Sequence, residues 1–313
     1  MPRCRLRLLG LALCLPLLLG GCASQRSTDG IPAIEAQDNP AKAETSFRRL
    51  PDRVYTPPDW PAPLTARVYL PDTPGDARRP AALVVHGGGW QRRDPDDMTP
   101  IAERLAARGY VVTNIGYRFA PDHRFPAQLH DLQIAMTWLH DNADAWRIDT
   151  DRIVGVGYSS GAHLVSLLAV QQPGSPLDRP HGGERTRLAA VVAGGLPSDL
   201  MKFDDGRLVR EFIGGTRAEK PRAYRLASPA RQVGPLTPPH FLFHGDRDSL
   251  VPVDHATDMY RRLDAAGVPA ELYLQTWRGH ITAFLTRDDA MDAALAFLDE
   301  QLSVPEAGTG SDP

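Results

Sequence analysis

The segment Gly157-Tyr158-Ser159-Ser160-Gly161 places a serine between two glycines, each two residues away. The apolar run Ile153 to Val156 before it reads as a buried strand, and Ala162 to Val170 after it reads as a helix. A G-x-S-x-G between strand and helix is the setting of a nucleophile elbow, a turn too sharp for side chains at the glycine positions. Such a turn lifts the hydroxyl clear of the sheet. It also leaves the free N–H groups of the next helix near the reacting centre. Ser159 is therefore the candidate nucleophile. The bland reading of the same residues is a glycine-rich turn.

A serine hydroxyl is a poor nucleophile at neutral pH and needs a base, which in turn needs an orienting group. The apolar stretch Phe241-Leu242-Phe243 runs into His244-Gly245-Asp246-Arg247-Asp248, a tight turn with two carboxylates that could each orient a histidine. Of the ten histidines, His280 sits in a loop after Gly279, beyond the last predicted strand. His163 follows the elbow on its helix and reads as packed and hydrogen-bonded. His255 falls on a helix after the two aspartates, while His86 and His244 read as residues that fix turns. An oxyanion needs two or more backbone N–H donors. Three glycines in His86-Gly87-Gly88-Gly89-Trp90 follow a strand and allow close backbone approach. Gly88, Gly89 and Ser160 are the candidate donors, with Gly87 an open alternative.

These groups must be carried by a regular scaffold. Strands are predicted over Thr65 to Leu70, Ala81 to Val85, Tyr110 to Ile115, Leu188 to Ala193 and Glu271 to Gln275, besides the two already named. Helices are predicted over Pro100 to Arg108, Pro126 to Asn142, Val253 to Ala266 and Ala290 to Gln301. Strands alternating with helices imply an α/β fold with a mostly parallel central sheet flanked by helices. The stretch 198–239 breaks the alternation. It reads as a cap-like insertion above the C-terminal edge of the sheet, where open α/β folds bind ligands, or as a plain surface excursion. Trp90, Phe119, Leu196, Met201, Phe203 and Phe212 would line a pocket there, or serve as ordinary core.

The composition is that of a globular chain, 42% hydrophobic and 23% charged. A net charge of −3 and the lack of a basic block beyond the first residues exclude a nucleic-acid surface. Arg3, Arg5 and Arg7 precede the apolar stretch Leu8 to Leu19, which is too short to span a bilayer comfortably. It ends in Leu19-Gly20-Gly21-Cys22, which resembles a bacterial lipobox. The resemblance implies a signal peptide over 1–21 and lipid on Cys22. A plain signal peptide or an uncleaved anchor is the bland alternative. Ala23, rather than Asp, after the cysteine implies the outer membrane, periplasmic face, over the inner. Cys4 and Cys14 would leave with the signal, so the mature body would hold no free thiol. Residues 22–50 read as a polar tether, 51–304 as the catalytic domain and 305–313 as a disordered tail.

Taken together, the elbow and the His86 to Trp90 loop resemble the α/β-hydrolase superfamily. Within it they are similar to the HGGG-bearing esterases, both hormone-sensitive-lipase-like and BD-FAE, with kynurenine formamidase nearby. Tyr117-Arg118-Phe119-Ala120-Pro121, Phe125-Pro126, Asp131 and Ala227-Ser228-Pro229 extend the resemblance over about residues 65–302. It implies the chain order serine, acid, histidine, which selects His280 as base. The string ending in Asp248-Ser249-Leu250-Val251-Pro252 is similar to H-G-x-x-D-x-x-V-P, which selects Asp248 over Asp246. It implies a structural link between Arg118 and Asp131. Neither metal nor organic cofactor is implied. The implied activity is hydrolysis of short-chain acyl esters, with a small-molecule or carbohydrate-linked ester as substrate. An arylformamidase or a carbohydrate acetyl or feruloyl esterase would use the same machinery. A binding lipoprotein that keeps only the fold is the rival outside enzymes.

Overall fold

The computed structural model describes residues 23–28, 44–73, 75–203 and 206–303. Its strands are β1 (Ala23–Ser27), β2 (Phe47–Arg49), β3 (Arg53–Val54), β4 (Thr65–Pro71), β5 (Arg79–Val85), β6 (Val111–Ile115), β7 (Ile148–Tyr158), β8 (Ala190–Gly194), β9 (His240–Gly245) and β10 (Ala270–Gln275). They form one sheet in the order β1-β10-β9-β8-β7-β5-β6-β4-β2, with β3 also paired to β4. The six strands from β6 through β10 in this order run parallel. The antiparallel strands β4 and β1 close the two sides.

The central strands β5 and β8 run Ala-Ala-Leu-Val-Val and Ala-Val-Val-Ala because both of their faces are covered. Alternate residues feed different cores: Ala81, Leu83 and Val85 of β5 join one cluster, Ala82 and Val84 the other. The helices are α1 (Thr99–Ala107), α2 (Ala127–Asp141), α3 (Ala143–Trp146), α4 (Ser160–Ala169), α5 (Arg207–Ile213), α6 (Pro221–Leu226), α7 (Asp254–Ala265), α8 (His280–Leu285) and α9 (Asp288–Gln301). Helices α2, α4 and α7 pack on the first face, α1 and α9 on the second.

Two sequence expectations need correction. The stretch 22–50, expected to be a tether, contributes β1 and β2 to the sheet. β1 pairs with β10 from Ala23 opposite Gln275 to Ser27 opposite Glu271. Thr28 caps the pairing through both its N–H and its hydroxyl, on the backbone of Ala270. An edge strand can be recruited by the unpaired backbone of its neighbour alone. Both faces of β1 remain largely solvated, so Ala-Ser-Gln-Arg-Ser carries no apolar alternation to read. His280, expected in a loop, is instead the first residue of the short helix α8. The expected signal segment and the tail over 305–313 lie outside the described residues.

The stretch 198–239 sits between β8 and β9 and contains α5 and α6. α5 lies against the loop after β5: a side chain on Gly89 would touch Leu208, and Phe212 stacks on Trp90 with ring centroids 4.5 Å apart.

Candidate active site

Ser159 follows β7 and caps the N-terminus of α4 with φ of 55° and ψ of −122°. A non-glycine residue with positive φ is strained and persists only where its surroundings impose it. Here the glycines impose it. A Cβ on Gly157 would run into the Gly161 backbone, and one on Gly161 would run into the Val85 carbonyl. α4 therefore lies against β7 and β5 more closely than any side chain would permit. The Ser159 N–H donates to the Gly194 carbonyl at 2.8 Å, tying the turn to β8.

The other two groups arrive from the ends of the next strands. The Ser159 hydroxyl lies 2.9 Å from His280 Nε2. On the far side of that ring, His280 Nδ1–H donates to Asp248 Oδ2 at 2.6 Å. The second oxygen of Asp248 accepts the N–H groups of Leu250 (2.9 Å) and Val251 (2.8 Å). His244 Nε2 stands 2.8 Å from the Val251 carbonyl and 3.3 Å from Asp248 Oδ2, so one N–H braces both. Burial alone would raise the Asp248 pKa. The hydrogen bonds from His244, His280 and the Val251 N–H, with the charge of His280, overcome it and hold the carboxyl well below the usual range. Asp248 is thus an anion that accepts on every side, suited to orienting an imidazole and stabilising its protonated form. Asp246 plays a different part: its carboxylate accepts the Trp277 N–H at 2.6 Å and fixes the approach to His280.

The loop after β5 completes the site. Gly88 has φ of 113° and Gly89 φ of 64°, backbone that L side chains rarely adopt. Among the described residues, nothing accepts a hydrogen bond from the N–H groups of Gly88, Gly89 or Ser160. All three residues line the same cavity of about 540 Å³ as Ser159 and His280. Free backbone donors beside a nucleophile suit a developing oxyanion. The cavity wall is mainly apolar, with Trp90, Phe203, Leu208, Val209 and Phe284. Of the six residues considered from sequence as pocket lining, only Trp90 and Phe203 serve so. Leu196 and Phe212 are buried, and Phe119 and Met201 pack against the core.

Several supporting residues had weaker sequence signals. The Tyr158 hydroxyl donates to the His280 carbonyl, so the residue before the nucleophile also positions the base. Its place inside the motif was the available clue. The Tyr117 hydroxyl, buried beneath the glycine loop, donates to the His86 carbonyl at 3.1 Å and lies 3.3 Å from Ser160 Oγ. His163 receives the Trp90 indole N–H on Nδ1 (3.2 Å) and bonds the Ala227 carbonyl through Nε2 (2.6 Å). Burial pushes its pKa down to about 4, which keeps it a neutral spacer between elbow helix and insertion. Arg118 and Asp131 form a buried pair, with Arg118 Nε to Oδ1 at 2.8 Å. The Trp60 indole, unmarked in the sequence, donates to the same oxygen. No group of residues able to hold a metal ion occurs among the described residues.

A parallel α/β sheet whose strand ends present a linked serine, histidine and aspartate beside free backbone donors defines the α/β-hydrolase class of serine hydrolases. The BD-FAE family model matches residues 67–263, and the chain belongs to that family. It is 28% identical over 299 residues to Esterase LipC of Mycobacterium tuberculosis, covering 82% of this chain and 74% of that protein. It is 28% identical to the probable carboxylic ester hydrolase LipM of the same organism, covering 78% of this chain but 59% of LipM's length. Among solved structures, a truncated carbohydrate esterase from gut microbiota superposes with a TM-score of 0.72. At 24% identity, it covers 84% of this chain and 98% of its own. The chain is thus an esterase-type α/β-hydrolase.

Proposed function

We propose that the protein hydrolyses carboxylic esters of short acyl chains, with Ser159 as nucleophile, His280 as general base and acid, and Asp248 as orienter. The observation that carries this reading is the continuous relay of 2.9 and 2.6 Å from Ser159 Oγ through the His280 ring to Asp248. Ser159 Oγ attacks the ester carbonyl carbon while its proton passes to His280 Nε2. The carbonyl oxygen becomes an oxyanion, received by the N–H groups of Ser160, Gly88 and Gly89. As the tetrahedral intermediate collapses, His280 returns the proton to the departing alcohol, leaving an acyl-serine. Water, deprotonated by the same nitrogen, attacks the acyl-serine. The second collapse releases the carboxylic acid and restores the serine. The apolar wall and moderate volume of the cavity support a small acyl group. The site acts at the cell envelope in this reading, through lipid on Cys22, supported by Leu19-Gly20-Gly21-Cys22 behind an apolar segment.

The test is turnover of p-nitrophenyl esters from acetyl to palmitoyl by the full chain beside its Ser159→Ala variant. The expected result is turnover that falls with acyl length and drops by ~10⁴-fold or more in the variant. Palmitoyl as the best substrate would overturn the short-chain reading. Full activity in Ser159→Ala would overturn the mechanism.

A further inference from the structure

Six large apolar side chains stand exposed among the described residues, and four of them belong to the turns that carry Asp248 and His280: Leu250, Trp277, Ile281 and Leu285. Leu250, Ile281 and Leu285 line the mouth of the catalytic cavity. Ile281 and Leu285 are one turn apart on α8 and share a face. Trp277, three residues before His280, is 71% exposed. Its backbone has φ of 60°, an unfavourable conformation for a bulky residue, held by the Asp246 carboxylate on its N–H. The Arg247 guanidinium lies over its ring at 4.4 Å. The fold thus holds a tryptophan outward in a strained backbone conformation.

A second observation says what covers this rim. β1 runs antiparallel to β10 with Ala23 opposite Gln275, and Gln275 is two residues before Trp277. The start of β1 is therefore at the Trp277 end of the sheet. In the sequence Ala23 follows Cys22, the last of Leu19-Gly20-Gly21-Cys22.

We propose that the collar of Leu250, Trp277, Ile281 and Leu285 seats in the interfacial layer of a lipid bilayer, so that the mouth of the catalytic cavity faces the membrane surface. The proposal rests on the reading of Cys22 as the lipid-bearing residue. With β1 docked on β10 from Ala23 onward, a lipid on Cys22 would be tethered to the end of the sheet that carries the collar. An amphipathic tryptophan belongs at the headgroup level, where its ring is desolvated and its N–H stays wet. Arg247 and Arg278 flank it and present cations to phosphate groups. An ester held in the bilayer surface would then reach Ser159 without crossing bulk water.

The test uses the full chain isolated with its modification, on vesicles of phosphatidylethanolamine and phosphatidylglycerol that carry brominated acyl chains. The emission that Trp277→Phe removes is expected to be quenched by the bromines. A vesicle-bound protein whose Trp277 emission is not quenched would overturn the proposal. Mass spectrometry of the N-terminal peptide, compared with Cys22→Ser, reports the anchor separately. If Cys22 carries no lipid, the anchor reading fails by itself. The collar is then judged by vesicle sedimentation, where Trp277→Ala is expected to lower partitioning ~tenfold or more. Unchanged partitioning, or a Trp277-dependent dimer in solution with no vesicle binding, would overturn the collar. Turnover of p-nitrophenyl acetate by Trp277→Ala, expected to equal that of the parent, shows that the variant is folded.

Discussion

Ser159 is held by close packing of backbone on backbone, whereas its two partners are held by hydrogen bonds. Around Ser159 the determining residues are Gly157 and Gly161, whose missing side chains let α4 lie on β7 and β5. The proposed oxyanion donors nearby are main-chain groups as well. Around His280 and Asp248 the determinants are the hydrogen bonds of His244, Tyr158 and the Leu250 and Val251 amides. A site half built from backbone is all-or-none, because a clash there displaces whole elements. A half built from hydrogen bonds can lose one bond and keep its fold. The two halves should therefore fail differently, one in stability and the other in chemistry.

Among changes around the histidine and the acid, Asp248→Asn gives the largest expected effect. The amide keeps the shape but carries no charge, and it favours the wrong histidine tautomer. Turnover should fall by about 10⁴-fold in a variant that is still folded by circular dichroism, although losing the buried carboxylate also lowers stability. A fall below tenfold in ester turnover would mean that the acid–base half does not depend on this carboxylate. Gly161→Ala should do the reverse. Its methyl would meet the Val85 and His86 carbonyls, so unfolding free energy should drop by about 3 kcal/mol or more, measured by denaturant titration. Stability within error of the parent would show that the elbow tolerates side chains after all. Tyr158→Phe joins the halves, since it removes a hydroxyl from the elbow and takes one donor from the His280 carbonyl. Its expected cost is the smallest, ~1–2 kcal/mol, seen as a roughly 5- to 30-fold fall in kcat with KM retained. A larger loss in KM than in kcat would place Tyr158 in substrate binding instead of base positioning.

The nucleophile half was legible because all of its determinants lie within five consecutive residues, bounded by a strand and a helix. Ser159, Ser160 and the glycine loop are therefore placed in the structure where their local sequence put them. The acid–base half was legible only in part. Asp246 and Asp248 occupy the same turn, and the spatial separation of their partners, Trp277 and His280, distinguishes them. His280 was expected in a loop because the six-residue α8 is too short to show periodicity. Trp60 gave no signal, since what makes it structural is a partner 71 residues away, and Tyr117 was marked only through the resemblance of its segment.

The amino-acid sequence by itself determined the alternating elements, the parallel core strands and the turn that presents Ser159. Each depends on local patterns: apolar runs for doubly covered strands, helical spacing for the flanking helices, and glycine where backbones touch. The tertiary structure alone decided that 23–27 closes the sheet edge, that α5 walls the cavity, and that His244 and Tyr158 brace the acid and the base. These depend on unpaired backbone at an edge, on burial between elements distant in sequence, and on hydrogen bonds whose partners are brought together only by folding.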